Sequence, residues 1–167
     1  GCCEYEGTIS SSVDFEYFPY DVPDEGIETL ELIRTIAPGA EEWEIAREIS
    51  LLDVMDDALS RSFRTLSNGE RTKVLLAALF LKKNSFLLLD EPTNHLDMEA
   101  RAAVTAYLNR KKGFILVSHD RIFLDSCIDH ILSINRTNIE VQKGNFSSWW
   151  KNMEMREQYE RSENERL

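Results

Sequence analysis

Residues Thr65 to Asp97 read TLSNGERTKVLLAALFLKKNSFLLLDEPTNHLD. The aliphatic run Phe86-Leu87-Leu88-Leu89 stops abruptly at Asp90-Glu91-Pro92. A run of this kind predicts a buried parallel strand that delivers two carboxylates to its carboxyl edge, where open α/β sheets bind ligands. Ahead of it, Leu66-Ser67-Asn68-Gly69-Glu70 opens an apolar helix expected to run from Ser67 to about Lys83, ended by Lys82-Lys83 and Asn84. A second aliphatic run, Phe114 to Val117, again ends in polar residues, Ser118-His119-Asp120. Aliphatic strands separated by helices predict an α/β fold with a parallel sheet.

The totals narrow the function classes. The 167 residues are 43% apolar and carry 30 acidic against 19 basic side chains, for a net charge of −11. That balance argues against a direct nucleic-acid grip, which needs clustered Lys and Arg, although another part of a larger protein could still contact RNA. Cys2, Cys3 and Cys127 form neither a disulfide framework nor a metal spacing, as expected of a protein in a reducing cytosol. The longest unbroken apolar run, Val74 to Leu81, is far short of the ~20 residues of a membrane span. The first residue is Gly1, so the true N-terminus is expected to lie elsewhere.

Outward from the central stretch, Thr8-Ile9-Ser10 and Phe15 to Phe18 read as short strands stopped by Pro19 and Pro23. From Asp24 to Leu59 the period is helical. Ile27, Leu30 and Ile33 form one stripe, Pro38-Gly39 breaks it, and Ile45, Ile49 and Leu52 form another, with Trp43 expected in the core. Met98 to Lys111 reads as a helix packing through Ala102, Ala103, Ala106 and Tyr107, and Arg121 to Cys127 as a short one. Ile128 to Ile134 and Asn138 to Gln142 read as strands joined at Asn135-Arg136-Thr137. Past Asn145, Phe146, Trp149, Trp150 and Met153 make an anchoring face. The helix then turns almost wholly charged, with Arg156–Glu160, Glu157–Arg161 and Arg161–Glu165 at pairing distance.

Each candidate site has a plain structural reading beside the chemical one. Ser67 and Glu70 fit a capping box, yet Asn68 and Gly69 tolerate unusual backbone angles and would bare N–H groups to an anion at a helix N-terminus. Asp90 stands where an ATPase holds Mg²⁺ through its water shell. Glu91 is placed to orient or deprotonate a water attacking the γ-phosphate; the alternative is a solvated strand-end pair. His119, at the same sheet edge, is either a hydrogen-bonding residue or part of that chemistry. None of the seven glycines precedes a lysine, so the phosphate-cradling loop G-x-x-x-x-G-K-[ST] is missing from the sequence. The chain alone is therefore expected to bind Mg-ATP weakly or not at all, and its sheet to leave an exposed edge or open core.

Taken in order, Leu66 to Glu70, Phe86 to Glu91, Asn94-His95-Leu96-Asp97 and His119 resemble the signature motif, Walker B, D-loop and switch histidine of the ABC-type ATPase domain, a P-loop NTPase fold. Ser67 and Asp90 are 23 residues apart, Glu91 and His119 28. The resemblance implies that two such domains sandwich two ATP molecules. Ser67, Asn68, Gly69 and Glu70 would then meet the partner's nucleotide, Asp90 would assist Mg²⁺, and Glu91 would act as base. Asp97 would couple the halves and His119 would sense the γ-phosphate. Glu91 to Asp97, Leu76 to Leu81 and Ser118 to Asp125 are similar to the ABC-F proteins, which carry two ATPase domains on one chain, have no membrane domain, and include ribosome-binding members. Gly144 to Trp150 resembles the start of their interdomain linker, through which rRNA would be reached. Phe15 to Asp21 resembles their branch conferring resistance to lincosamides, streptogramins A and pleuromutilins by acting on the ribosome. The implied layout is 1–23 as the end of the N-terminal strands, 24–84 as a helical subdomain with the signature helix, 85–144 as the catalytic half, and 145–167 as linker. This would be the later part of a first ATPase domain in a cytoplasmic protein. Two departures stand out: Ser-Asn-Gly replaces the usual Ser-Gly-Gly, and Tyr20 occupies the usual position of the Q-loop glutamine, an Mg²⁺-side ligand.

Other architectures fit less well. In a transporter's ATP-binding subunit the helical lobe would face a membrane partner, which leaves the charged exit helix unexplained. In a chromosome-maintenance ATPase of the SMC type the coiled coil enters before the signature. A degenerate interaction module would be expected to have lost Glu91 or His119.

Overall fold

The computed structural model describes residues 6–8, 10–135 and 137–164. Three parallel strands, β1 (Asp14–Phe18), β2 (Ser85–Asp90) and β3 (Phe114–Val117), form a sheet in the order β1-β2-β3. Tyr17 lies opposite Leu88, and Leu89 opposite Leu116. Parallel neighbours require long crossovers. The first crossover is the helical lobe: α1 (Thr29–Ile36), α2 (Glu42–Leu51), two 3₁₀ turns at Asp56–Ser60 and Phe63–Thr65, and α3 (Asn68–Leu81). The second is α4 (Met98–Leu108). After β3 come α5 (Arg121–Cys127), the antiparallel hairpin β4 (His130–Ile134) and β5 (Ile139–Lys143), and α6 (Phe146–Asn164). The expected strand Thr8-Ile9-Ser10 rests on Ile9, outside the described residues, and Thr8 and Ser10 beside it are not in a strand. Arg136 of the expected turn also lies outside them.

Helix α3 is the centre of the core. Val74, Leu76, Ala77, Ala78 and Leu79 are all fully buried, because α1 and α2 pack on one side of the helix and the sheet on the other. A helix apolar nearly all round is one enclosed in this way. Its end follows the sequence closely: Lys82 is the C-cap, and Asn84 takes a left-handed φ of 59° before β2 starts.

Only one face of the sheet is covered. Leu87 and Leu89 are buried with Phe18, and Phe80 of α3 meets Tyr107 and Phe114 edge-on at 5.6 and 6.0 Å. On the other face Phe15, Tyr17, Ile115 and Val117 are exposed, with Phe86 and Leu88 half-buried. The expected burial of β2 on both faces therefore holds for one, since no described residue covers the other. Two further expectations fail, one of them in part. Trp43 is 62% exposed, on the outer side of α2 where Arg47 lies 5.3 Å from its ring centroid. On α4, Ala103 and Tyr107 are buried as expected, but Ala102 and Ala106 are exposed, and Ala100, Val104 and Leu108 complete the packed stripe.

Helix α6 starts from a constrained turn. Gly144 has φ 139°, and a Cβ there would fall 2.6 Å from Ser148 Oγ, so only glycine fits. Asn145 Oδ1 accepts the Ser148 N–H at 3.0 Å, and Asp125 of α5 accepts the Ser147 N–H at 2.7 Å. The Arg121 guanidinium lies 4.6 Å from the Trp150 ring centroid and 5.6 Å from that of Phe146. Phe146 and Trp150 of the expected anchoring face meet α5 here and Trp149 packs against both rings, whereas Met153 is exposed. Arg156 pairs with Glu140 of β5 at 3.5 Å. The side chains of Glu157, Glu160, Arg161 and Glu165 lie outside the described residues, and with them the three expected charge pairs.

A buried carboxylate ties the helical lobe to the end of α4. Glu48 of α2 is 1% exposed and takes hydrogen bonds from Arg47 at 3.0 Å, from the Tyr107 hydroxyl and from the Lys111 ammonium. Burial pushes this carboxyl up, but Lys111, Tyr107 and Arg47 outweigh it and hold Glu48 below its ordinary range. A depressed folded value means the stabilisation is complete above the unfolded value and is lost as pH falls through the folded one. Glu48→Gln should therefore lower stability to urea by about 2 kcal/mol at neutral pH. That deficit against wild type should shrink as pH drops below the ordinary glutamate range. Equal stability at pH 7 would contradict this role.

Candidate nucleotide-binding site

Two clusters form the candidate site. The first is the carboxyl edge of the sheet. Asp90 ends β2 on the open face, and the Tyr17 hydroxyl donates to Asp90 Oδ2 at 2.9 Å. That hydrogen bond raises the Tyr17 hydroxyl above its ordinary value. Glu91 turns the other way. Its N–H still pairs with the Val117 carbonyl at 2.8 Å, but its φ of 47° is left-handed and ends the strand. Its carboxylate accepts the His119 N–H at 2.7 Å and the Ser118 hydroxyl at 3.1 Å, both from the end of β3. The His119 ring is 99% exposed, with Nε2 3.7 Å from Glu91 Oε1. The two carboxylates are thus not confined together: one is held from β1, the other from β3.

Beyond β3, Asp120 caps α5, accepting the N–H groups of Ile122 and Phe123 at 3.1 Å each, and pairs with Arg101 of α4. The loop after Glu91 is built the same way. Pro92 and Thr93 are buried, Asn94 and His95 are exposed with His95 at φ 64°, and Asp97 caps α4 through the Ala100 N–H at 2.8 Å.

The second cluster is the first turn of α3. Ser67 accepts the Glu70 N–H at 3.2 Å and donates its own N–H to Glu70 Oε2 at 2.7 Å, a complete capping box. Arg61 pairs with the same Glu70 at 3.4 Å. Partial burial pushes Glu70 up, and Ser67 and Arg61 more than reverse it. Asn68 and Gly69 are ordinary helical residues, so the turn needs no unusual φ, contrary to expectation, and Asn in place of Gly costs it little. Their N–H groups lack intrahelical acceptors because they open the helix. Gly69 packs against the other loop: a Cβ there would lie 3.6 Å from Ala100 Cβ and 3.9 Å from Leu96 Cδ2.

The structure therefore brings Asp90, Glu91 and His119 to one edge, and Ser67 to Glu70 against the segment that begins at Leu96. Tyr20 does not join them; it is half-buried against the hydrophobic core, and Tyr17 is the β1 residue that reaches Asp90. Sequence reasoning missed Tyr17 and Ser118. The signal for Tyr17 was a hydroxyl at a strand's carboxyl end in phase with exposed Phe15, and Ser118 read only as a strand terminator.

The donor chemistry suits Mg²⁺. Asp90 is a hard oxygen donor, half-exposed, with the Tyr17 bond on Oδ2. The described residues hold no group of three or more His, Cys, Asp or Glu able to cage a metal. Mg²⁺ typically takes one or two carboxylates plus phosphates and waters rather than a protein cage. No helix among the described residues is long and apolar enough to cross a membrane.

The chain is 45% identical over 103 residues to the energy-dependent translational throttle protein EttA of Haemophilus influenzae, covering 60% of this chain and 18% of that protein. It is 33% identical over 153 residues to the uncharacterized ABC transporter ATP-binding protein YkpA of Bacillus subtilis, covering 88% of this chain and 28% of that one. The chain thus spans less than a third of the length of these curated relatives, 18% of one and 28% of the other. Among solved structures, the RNase-L inhibitor superposes with a TM-score of 0.64 at 25% identity, over 84% of this chain and 30% of its own. An archaeal ribosome recycling factor, aABCE1, in complex with a ribosomal stalk protein, gives 0.62 at 26% identity, over 81% of this chain and 28% of its own. The fold is that of the ABC ATPases, a P-loop NTPase fold. The ABC transporter family matches residues 10–94, half of the chain, and the chain belongs to that family.

Proposed function

We propose that this chain is part of an ABC-F-type protein that binds and hydrolyses ATP between two ATPase domains and acts on the ribosome. The observation that carries the proposal is the pairing of Glu91 with the end of β3: its carboxylate, the Ser118 hydroxyl and His119 meet at the edge where Asp90 also ends. Similarity to a protein named for translational throttling supports the ribosomal part.

In this reading Mg²⁺ bound with ATP would neutralise charge on the transferred phosphoryl group. Asp90 holds the metal's water shell, and Glu91 orients the attacking water and accepts its proton. His119, with its ring free in solvent, reports the γ-phosphate. The first turn of α3, Ser67 to Glu70, presents its N–H groups to the nucleotide of the partner domain. Leu96 lies beside that turn, and Asn94, His95, Leu96 and Asp97 couple the two sites. Helix α6 leaves the domain as the start of the linker toward rRNA. Within the subfamily, the resemblance of Phe15 to Asp21 supports the branch that confers antibiotic resistance by acting on the ribosome. A transporter's ATP-binding subunit is the competing reading, favoured by the similarity to YkpA, which is named as an ABC transporter ATP-binding protein.

The test uses the full-length protein with Glu91→Gln and the matching change in its second domain, pelleted with ribosomes with and without ATP. ATP-dependent co-sedimentation is expected. Failure to associate while ATP is bound would remove the ribosomal reading and favour the transporter subunit. Gly69 offers a separate check. Gly69→Ala meets only ordinary van der Waals contacts and removes a helical glycine, so the fold should gain about 0.5–1 kcal/mol. ATP turnover should nevertheless fall at least tenfold if a nucleotide approaches this turn. Unchanged turnover in a stabilised variant would contradict the proposed contact.

A further inference from the structure

We propose that Tyr17 is a positioning residue for Asp90, fixing the carboxylate from the neighbouring strand so that its remaining oxygen faces the water shell of Mg²⁺. The inference rests on the ATPase reading above and adds a residue to its metal side. Parallel register sets Tyr17 opposite Leu88, two residues before Asp90 on the same face of the sheet. A strand side chain leans along the strand, and tyrosine is long enough to span that offset. The result is the 2.9 Å hydrogen bond to Oδ2.

Packing among the described residues does not account for a tyrosine here. Tyr17 is 52% exposed, and Phe15, two residues earlier on the same face, has no hydroxyl and stands just as open at 55%. What Tyr17 adds is a donor aimed at one oxygen. A lysine or arginine at this place would also orient Asp90, but it would cancel the charge that attracts the cation. A phenol orients without neutralising. Groups that hold metal-side carboxylates commonly change metal affinity 10–100-fold when removed. Tyr20, further along the same stretch, is half-buried against the core and offers no such contact.

The experiment uses the full-length protein with its second nucleotide site disabled, and follows binding of a fluorescent ATP analogue as Mg²⁺ is titrated. Tyr17→Phe should raise the half-saturating Mg²⁺ concentration about tenfold. It should leave metal-free nucleotide binding and the melting temperature unchanged. In an Asp90→Asn background the same substitution should have no further effect. An unmoved Mg²⁺ titration, or an equal shift in both backgrounds, would overturn the proposal and leave Tyr17 a structural residue. If the wild-type protein shows no Mg²⁺-dependent nucleotide binding at all, the ATPase reading itself falls, and this inference with it.

Discussion

Strand β2 is hydrogen-bonded on both sides, to β1 and to β3, and the rest of the site depends on that. Each neighbour supplies the donor that fixes one of its two terminal carboxylates: Tyr17 from β1 holds Asp90, and the Ser118–His119 corner beyond β3 holds Glu91. A one-residue slip in either parallel register would turn the donors to the wrong face. What prevents the slip is the alternation of Leu87 and Leu89 into the core below α3. Burial of two leucines thus sets the positions of two acids.

The same economy recurs at the helix starts. Ser67, Asp97 and Asp120 each cap a helix, and Ser67 and Asp97 belong to motifs assigned a chemical role. The structural reading and the chemical one are compatible at those two positions, because capping fixes the loop whose neighbouring groups would meet a ligand. At the far end of α4, the Glu48 cluster pins the helix that Asp97 begins.

Local signals made much of this legible in the sequence. Helix α5 falls on Arg121–Cys127 as its pattern suggested, and the capping box at Ser67 forms with both of its bonds. The strand ends at Asp90 and Val117 follow from where the aliphatic runs stop. The misses came from partners that a single stretch cannot reveal. Trp43 looked like core because it is large and apolar, but α2 turns it outward and buries Glu48, an acid whose partners lie about sixty residues away. The Asn68-Gly69 pair suggested an unusual backbone, yet position at a helix start sufficed to free the N–H groups. The open sheet face was expected from the missing phosphate-cradling loop and not from β2, whose run looks the same whether one side or both are covered.

The proposed chemistry assigns hydrolysis to Glu91, and single-turnover ATP cleavage by the full-length protein addresses this directly. The second domain's equivalent glutamate is replaced so that only this site can act. With Glu91 present, turnover should persist. With Glu91→Gln it should fall by two orders of magnitude or more, while ATP binding is retained. Undiminished cleavage in the Glu91→Gln protein would contradict the account.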